Sequence, residues 1–248
     1  MSPSPQPRLA LIGLGKMGYV LRQLASERDW TLVAEIGKEG NSRGEAITRE
    51  SLHGADVAIE FTTPEAAPWN VRACARAGCP VVVGTTGWYA ERAEVERDVL
   101  AADGAMFWAA NLSIGVNVFM QIAEFAARLT AGLSTFDAHI IEMHHAAKRD
   151  APSGTALELA RRAGAVRGRE IAISSVRTGA IPGTHTLLFD GGFEQIRLEH
   201  VARDRRVFAD GALMAARWLI GRHGIFTMAD LMNADAVGSA ESAERRLL

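Results

Sequence analysis

The chain has few cysteines, no long hydrophobic run and almost no net charge. Cys74 and Cys79 are its only two cysteines, too few for a disulfide framework, and their spacing is poor for a metal site. No apolar stretch is long enough to span a bilayer, and the opening MSPSPQPR lacks the apolar core of a signal peptide. A formal net charge of −2 disfavours a nucleic-acid partner. We therefore expect a cytoplasmic protein with no metal, no nucleic-acid partner and no membrane partner.

The chain does have the composition of a globular protein and a change of pattern near its middle. Its 248 residues are 48% hydrophobic and 23% charged, which suits one large domain or two modest ones. Up to Leu112, short apolar runs alternate with helical patterns, which predicts an α/β fold with a doubly wound parallel sheet. From Ser113, a long apolar helix and alternating strands predict a second α+β domain with a mixed or antiparallel sheet. We also expect a helix from about Pro64 to Ala77 and a short helix at GIFTMADLM.

A glycine motif follows the first apolar run. LALIGLGKMGYV places Gly13, Gly15 and Gly18 in the spacing G-x-G-x-x-G, between a strand and a helix. Gly13 allows a tight turn, Gly15 lets the backbone approach a pyrophosphate, and Gly18 lets helix and strand pack closely. The helix start offers N–H groups to phosphates. In this setting the motif predicts a Rossmann-type dinucleotide site rather than a structural glycine turn.

The residues after the second strand bear on the choice between NADH and NADPH. In VAEIGKEG, a strand that runs to Ile36 puts Gly37 where an acidic ribose ligand is usual. Lys38 could then meet a 2′-phosphate, which slightly favours NADPH. Glu35 could still accept from the ribose if the strand ends earlier, and Lys38 could be a solvated loop charge.

Three further loops follow predicted strands, where a parallel sheet presents its ligand. They are FTTPEA, GTTGW and AANLS. Thr85, Thr86 and Asn111 could hydrogen-bond ribose or nicotinamide.

The segment EMHHAAKRDAPSGTA combines basic side chains with a helix start. His144 and His145 end a strand, so their imidazoles should face opposite ways, and Lys148 follows in a loop. Pro152 suits a first helical turn with Asp150 or Ala151 near the cap. The N–H groups of residues 153–155 would then suit a carboxylate.

This cluster, placed beside a dinucleotide site, indicates a reduction. Hydride transfer to an unsaturated, anionic substrate needs a hydride, an anion clamp and a proton donor, and the sequence offers all three. The alternative is a structural loop with a capping motif and solvated basic residues.

The segment resembles the signature of the 4-hydroxy-tetrahydrodipicolinate reductase (dihydrodipicolinate reductase) family of lysine and diaminopimelate synthesis. GLGKMG, EFTTPEA, VVVGTTGW, AANLSIGVNVF, GTHTLLFDG and GIFTMADLM also resemble blocks of this family, in order. The resemblance implies a dinucleotide-binding domain, 1–112, completed by 223–248. It implies a substrate-binding domain, 113–222, that forms a homotetramer through its sheet. The reaction would reduce a small dicarboxylate of the dihydrodipicolinate skeleton with NADPH or NADH.

The resemblance also assigns roles to residues. His144 and Lys148 would be the catalytic proton donors, and the substrate-binding residues would be His145, Ser153, Gly154 and Thr155. The cofactor-binding residues would be Gly13, Leu14, Gly15, Lys16, Met17, Gly18, Lys38, Gly84, Thr85, Thr86, Ala109, Ala110, Asn111 and Leu112.

The sequence departs from the family at two places. Gly37 replaces the acidic ribose residue, which leaves cofactor preference open. A glycine- and arginine-bearing stretch ahead of VRTGAIPGTHT is missing, which leaves the tetramer contacts open. Two alternative functions are another two-domain dehydrogenase, of the aspartate or homoserine type, and a non-catalytic dinucleotide sensor.

Overall fold

The computed structural model describes residues 5–233, and the chain divides into two compact units. The first unit is formed by residues up to Leu112 and again from Phe208, and the second runs from Ser113 to Val207. The outermost residues of the expected completing segment, 234–248, lie outside the described part, as do the first four residues of the proline-rich start. Within the described residues, no helix combines the length and apolarity needed to cross a membrane.

The first unit is built on a six-stranded parallel sheet with the order β10-β5-β4-β3-β1-β2. Apart from Glu60, the side chains on both faces of its central strands are apolar, as expected where helices cover a parallel sheet. The strands are β1 Arg8–Ile12, β2 Thr31–Ile36, β3 Val57–Glu60, β4 Val81–Val83, β5 Ala105–Trp108 and β10 Gly224–Phe226. The helices are α1 Lys16–Glu27, α2 Ala67–Ala77, α3 Arg92–Ala101, preceded by a 3-10 turn at Tyr89–Glu91, and α6 Arg206–Leu219.

The second unit is a four-stranded mixed sheet that packs against two helices. Its order is β7-β6-β8-β9, with β6 and β7 parallel and the other pairs antiparallel. A core that includes Phe119, Leu159 and Leu187 joins helices to sheet. The elements are α4 Ile114–Thr130, β6 Asp137–His144, α5 Gly154–Arg167, β7 Ala172–Arg177, β8 Thr184–Asp190 and β9 Gln195–Val201. The predicted fold class is confirmed.

Two local expectations were wrong. The helix after FTTPEA begins at Ala67, not at Pro64, because residues 64–66 form a turn. The segment GIFTMADLM is not helical from its start: Gly224–Phe226 is a strand that pairs with β5. Its apolar residues extend the edge of the parallel sheet, and helix begins at Met228.

The first glycine of the motif is held in a conformation and a space that suit only glycine. Gly13 has φ +97°, and a Cβ built on it would lie 2.0 Å from the carbonyl oxygen of Phe61. At Gly15, apart from the adjoining backbone, no atom of residues 5–233 lies within 4 Å of the corresponding position. An added methyl group would therefore clash at Gly13 but meet open space at Gly15, so the two positions can be compared directly.

We expect Gly13→Ala to lower the free energy of unfolding by roughly 2–4 kcal/mol, because the side chain is both strained and overpacked. Gly15→Ala should leave stability nearly unchanged. Chemical denaturation of both variants measures this. Equal losses would show that space at Gly13 is not the constraint.

Candidate active site

The glycine loop forms an open backbone cradle at the start of α1. Gly13 N–H donates to the Ile36 carbonyl at 2.9 Å, and a Cβ on Gly18 would lie 2.1 Å from the Gly13 carbonyl oxygen. Gly15 is the N-cap of α1, and no side chain caps the helix there. Leu14, Gly15 and Lys16 are exposed. The loop is thus closely packed at Gly13 and Gly18 and exposed to solvent from Leu14 to Lys16, as a bound pyrophosphate requires.

The second strand ends at Ile36, so Gly37 is the residue just past it. Glu35 pairs with Arg22 on α1 at 3.3 Å, whereas Lys38 is exposed in the loop. A Cβ on Gly37 would make ordinary contact with Leu14, at 3.6 Å. This position therefore adjoins the glycine loop and has room for a side chain.

The loops after β4 and β5 carry the remaining cofactor residues named from the sequence. Gly84 lies against Phe61, whose ring would be 2.1 Å from an added Cβ. Thr85 is buried, and its hydroxyl accepts from the N–H of Thr62 at 2.7 Å, so it holds one loop to another. Thr86 is exposed. Ala109 and Leu112 are buried, Ala110 is exposed and Asn111 is half-buried.

A buried polar network beneath these loops was not predicted. Glu60 is completely buried at the end of β3 and accepts from the Thr62 hydroxyl. The Asn70 amide contacts the Thr62 hydroxyl at 3.2 Å and receives a bond from Asn41 at 3.1 Å. Burial raises the pKa of Glu60, and the bonds from Thr62, Thr85 and Asn70 oppose this only in part. One sequence feature could have indicated this network: Glu60 is an acidic residue at the end of an otherwise apolar strand.

In the second unit, the two adjacent histidines have different surroundings. His144 ends β6 and is buried, and its Nδ1 is hydrogen-bonded to Glu142. His145 is half-buried in the following turn, where its carbonyl accepts from the N–H of Lys148 at 3.0 Å. Burial lowers the pKa of His144, while the hydrogen bond and charge of Glu142 raise it.

The lysine and the helix start follow within a few residues. Lys148 Nζ contacts both carboxylate oxygens of Asp150, at 2.7 and 2.8 Å. Ser153 is the N-cap of α5, since its hydroxyl accepts from the N–H of Ala156 at 3.2 Å. The expectation of a cap at Asp150 or Ala151, with Pro152 in the first turn, was therefore wrong. The helix begins at Gly154, which is exposed, and Thr155 is half-buried.

Two residues from other strands join the histidine to the helix start. His185 on β8 lies with its ring centroid 5.2 Å from that of His144, and its Nε2 is 3.1 Å from the Ser153 hydroxyl. Arg177 on β7 donates to Glu142 and to the Asp150 carbonyl, each at 2.6 Å. Burial, with the nearby His144, lowers the pKa of His185 to about 4, so His185 is neutral near pH 7.

The sequence did not indicate these supporting residues. Glu142 lies two residues before His144 and so on the same strand face, a signal that was available. Arg177 and His185 come from distant segments, and only the strand order brings them near.

Glu142, His144 and His185 have possible ligand atoms within 4.8 Å of one another. Both carboxylate oxygens of Glu142 already have partners, His144 and Arg177. The bound guanidinium disfavours a second cation at the same carboxylate. Glu142 and His144 are therefore best described as a hydrogen-bonded pair, with the His185 ring packed edge-on against His144.

A Rossmann-type unit with an open glycine cradle, joined to a unit with a histidine, a lysine and a helix start, defines a two-domain NAD(P)H-dependent oxidoreductase. Comparison with known proteins identifies the family. The family descriptions "Dihydrodipicolinate reductase, N-terminus" and "Dihydrodipicolinate reductase, C-terminus" match residues 7–112 and 115–232. The chain belongs to the dihydrodipicolinate reductase family.

Individual relatives agree with this assignment. The 4-hydroxy-tetrahydrodipicolinate reductase of Christiangramia forsetii is 34% identical, over 91% of this chain and 97% of its own. That of Thiobacillus denitrificans is 39% identical, over 91% and 98%. The solved dipicolinate-bound dihydrodipicolinate reductase from Paenisporosarcina sp. TG-14 is 25% identical and has a TM-score of 0.74, over 90% of this chain and 97% of its own. The family, with its place in lysine and diaminopimelate synthesis, thus agrees with the resemblance.

Proposed function

We propose that the chain reduces 4-hydroxy-tetrahydrodipicolinate to tetrahydrodipicolinate with His144 and Lys148 as its proton donors. In the net reaction, one hydride and one proton enter the substrate skeleton and one water leaves. A reduced nicotinamide, when bound, would supply the hydride. The observation that supports the residue assignment is that His144 packs against His185, which is hydrogen-bonded to the Ser153 cap, because these contacts bring the His144 imidazole close to a helix start.

The helix start would hold a substrate carboxylate. An anion is favoured where the first N–H groups of a helix face it. Gly154 is exposed, and apart from the adjoining backbone no atom in the described part of the chain lies within 4 Å of its Cβ position, so an anion can approach closely. Ser153 and Thr155 would add hydroxyl groups, and His145 would contribute from the preceding turn. Lys148 already binds the carboxylate of Asp150, which indicates how it would meet a carboxylate of the substrate.

The cofactor would lie along the exposed glycine loop, with Gly13 to Gly18 under the pyrophosphate. Gly84, Thr85, Thr86 and Ala109 to Leu112 would border the ribose and nicotinamide. Thr85 would act by holding the loop, since its hydroxyl is occupied by Thr62. The exposed Lys38 would favour NADPH over NADH.

We also propose a cytoplasmic homotetramer assembled through the sheet of the second unit. On the face opposite the helices, Met143 is half-buried, and Val176 and Val201 are 38% and 55% exposed. These residues share one row across the sheet. Burial of such side chains by a second copy would be favourable.

The test of the reaction is oxidation of NADPH or NADH by the purified protein with freshly generated 4-hydroxy-tetrahydrodipicolinate. Aspartate and homoserine, with the oxidised cofactors, serve as comparison substrates. Turnover with either of these and none with the dicarboxylate would overturn the proposal.

We expect His144→Ala and Lys148→Ala each to lower kcat by roughly 10²-fold or more, the usual contribution of a general acid. The double variant should lose less than the product of both, because the two residues serve one protonation. His139→Ala, on the same strand, and Arg149→Ala, beside the lysine, are matched controls. Near-normal turnover in both folded variants would contradict the assignment.

Thr155→Val should mainly raise the KM for substrate, because it removes a hydroxyl while keeping the shape of the side chain. A hydrogen bond to a charged group contributes about 1.5–3 kcal/mol, so KM should rise at least severalfold. Steady-state kinetics measures this, with Ser174→Ala on β7 as a control. An unchanged KM would place the carboxylate elsewhere.

The cofactor choice should depend on residues 37 and 38. Lys38→Ala should raise the KM for NADPH severalfold and more than that for NADH, and high salt should reduce the difference. Gly37→Asp should turn preference towards NADH, since the new carboxylate would repel a 2′-phosphate. Kinetics with both cofactors at low and high salt tests this. Equal effects of Lys38→Ala on both KM values would make Lys38 a solvated charge only.

A further inference from the structure

Glu142 is a completely buried carboxylate at the centre of the second unit's site. One of its oxygens binds Nδ1 of His144, and the other accepts from Arg177 at 2.6 Å. Burial alone would raise the pKa of Glu142, but hydrogen bonds from Arg177, Ser175 and His144 outweigh it and lower this pKa to about 2. Glu142 is therefore ionised at neutral pH and can only accept hydrogen bonds.

Arg177 is itself fixed from several sides. It lies beside His144 in the parallel pairing of β6 with β7. Besides Glu142, its guanidinium donates to the carbonyls of Asp150, at 2.6 Å, and Val176, at 2.8 Å. Bonds to groups on a strand and in the loop leave the guanidinium little freedom. The Glu142 carboxylate is consequently held in one orientation.

An ionised acceptor at Nδ1 decides which nitrogen of His144 exchanges a proton. Nδ1 keeps its hydrogen in both the neutral and the charged ring, so Nε2 is the atom that gains and loses one. Among residues 5–233, no hydrogen bond is made to Nε2. A Cβ at Gly183 would lie 3.1 Å from this atom, so the absence of a side chain there keeps its surroundings open.

We propose that Glu142, clamped by Arg177, is a positioning residue that fixes the tautomer and orientation of His144, so that Nε2 delivers the proton to the substrate. The proposal rests on the proposed role of His144 as a donor. It adds a residue pair that acts only through that histidine.

The sign of the pH effect follows from the charged and titratable groups around His144. On its own strand lies Glu142, on β7 Arg177, in the loop Lys148 and Asp150, and on β8 His185, whose cross-strand neighbour on β9 is His200. Burial lowers the pKa of His144, as do Lys148 and Arg177, and Glu142 raises it. If the charge of Glu142 is removed, the lowering influences remain. The protonated form should then be lost at lower pH.

The test is Glu142→Gln in the full-length protein. Arg177 requires an acceptor, so the amide oxygen should face Arg177 and the amide NH₂ should face Nδ1, which moves the proton to Nε2. Two readouts follow: the nitrogen chemical shifts of His144 by NMR, and the pH dependence of kcat/KM. We expect a changed tautomer, an alkaline limb shifted to lower pH, and kcat about 10-fold lower or more at neutral pH with little change in KM.

Two further variants serve as control and rescue. Glu199→Gln removes a carboxylate from β9, bound to the Thr186 hydroxyl at 2.9 Å, and should leave both readouts unchanged. Glu142→Asp keeps the charge and should restore part of the alkaline limb. If Glu142→Gln fails to fold because Arg177 loses its partner, the double variant Glu142→Gln/Arg177→Met removes both charges and should shift the limb in the same direction.

The outcomes separate the two proposals. If Glu142→Gln leaves both the His144 tautomer and the alkaline limb of the kcat/KM profile unchanged, the proposed role of Glu142 is overturned. A changed tautomer with an unchanged limb would overturn His144 as the proton donor, and with it the catalytic part of this inference.

Discussion

A carboxylate without access to water must be neutralised or paired, and this requirement organises the second unit's site. Glu142 meets it through Arg177 and His144. Arg177 also donates to the Asp150 carbonyl, so the guanidinium that pairs with Glu142 also holds the loop before α5. His185 joins the other side of the site through Ser153. These polar contacts thus connect the strand end to the helix start, in addition to the apolar core that joins α5 to the sheet.

The first unit also contains a buried carboxylate, Glu60, but its hydrogen-bond partners differ from those of Glu142. Glu60 ends β3 and is as deeply buried as Glu142, but its partners among residues 5–233 are hydroxyl and amide groups, without a cation. Its pKa is accordingly raised, whereas that of Glu142 is lowered. The surroundings, not the residue type, decide in which direction the pKa of a buried acid moves.

Much of this arrangement could be predicted from the sequence where a local pattern carries it. The strand–glycine–helix pattern around Gly13 is such a case, as is the end of β2 at Ile36, because side-chain period and glycine spacing are local properties. The HH-x-x-K segment was recognised for the same reason, and its roles remain predictions. Arg177 and His185 could not be found in this way, since their importance depends on which strands lie beside β6. The misplaced cap had another cause: Pro152 is common in first helical turns, yet here Ser153 adopts the extended conformation and caps the helix.

The packing around Phe61 has a consequence for anyone who redesigns the cofactor loops. Its carbonyl oxygen excludes a side chain at Gly13, and its ring excludes one at Gly84. Residues from three separate strand ends therefore occupy one shared volume. A larger residue at Gly84 demands a smaller side chain at position 61, whereas no residue at position 61 can relieve the clash at Gly13, because the obstructing atom there belongs to the backbone. A library that randomises the Gly84 loop alone would discard every combination in which a smaller residue at position 61 makes room.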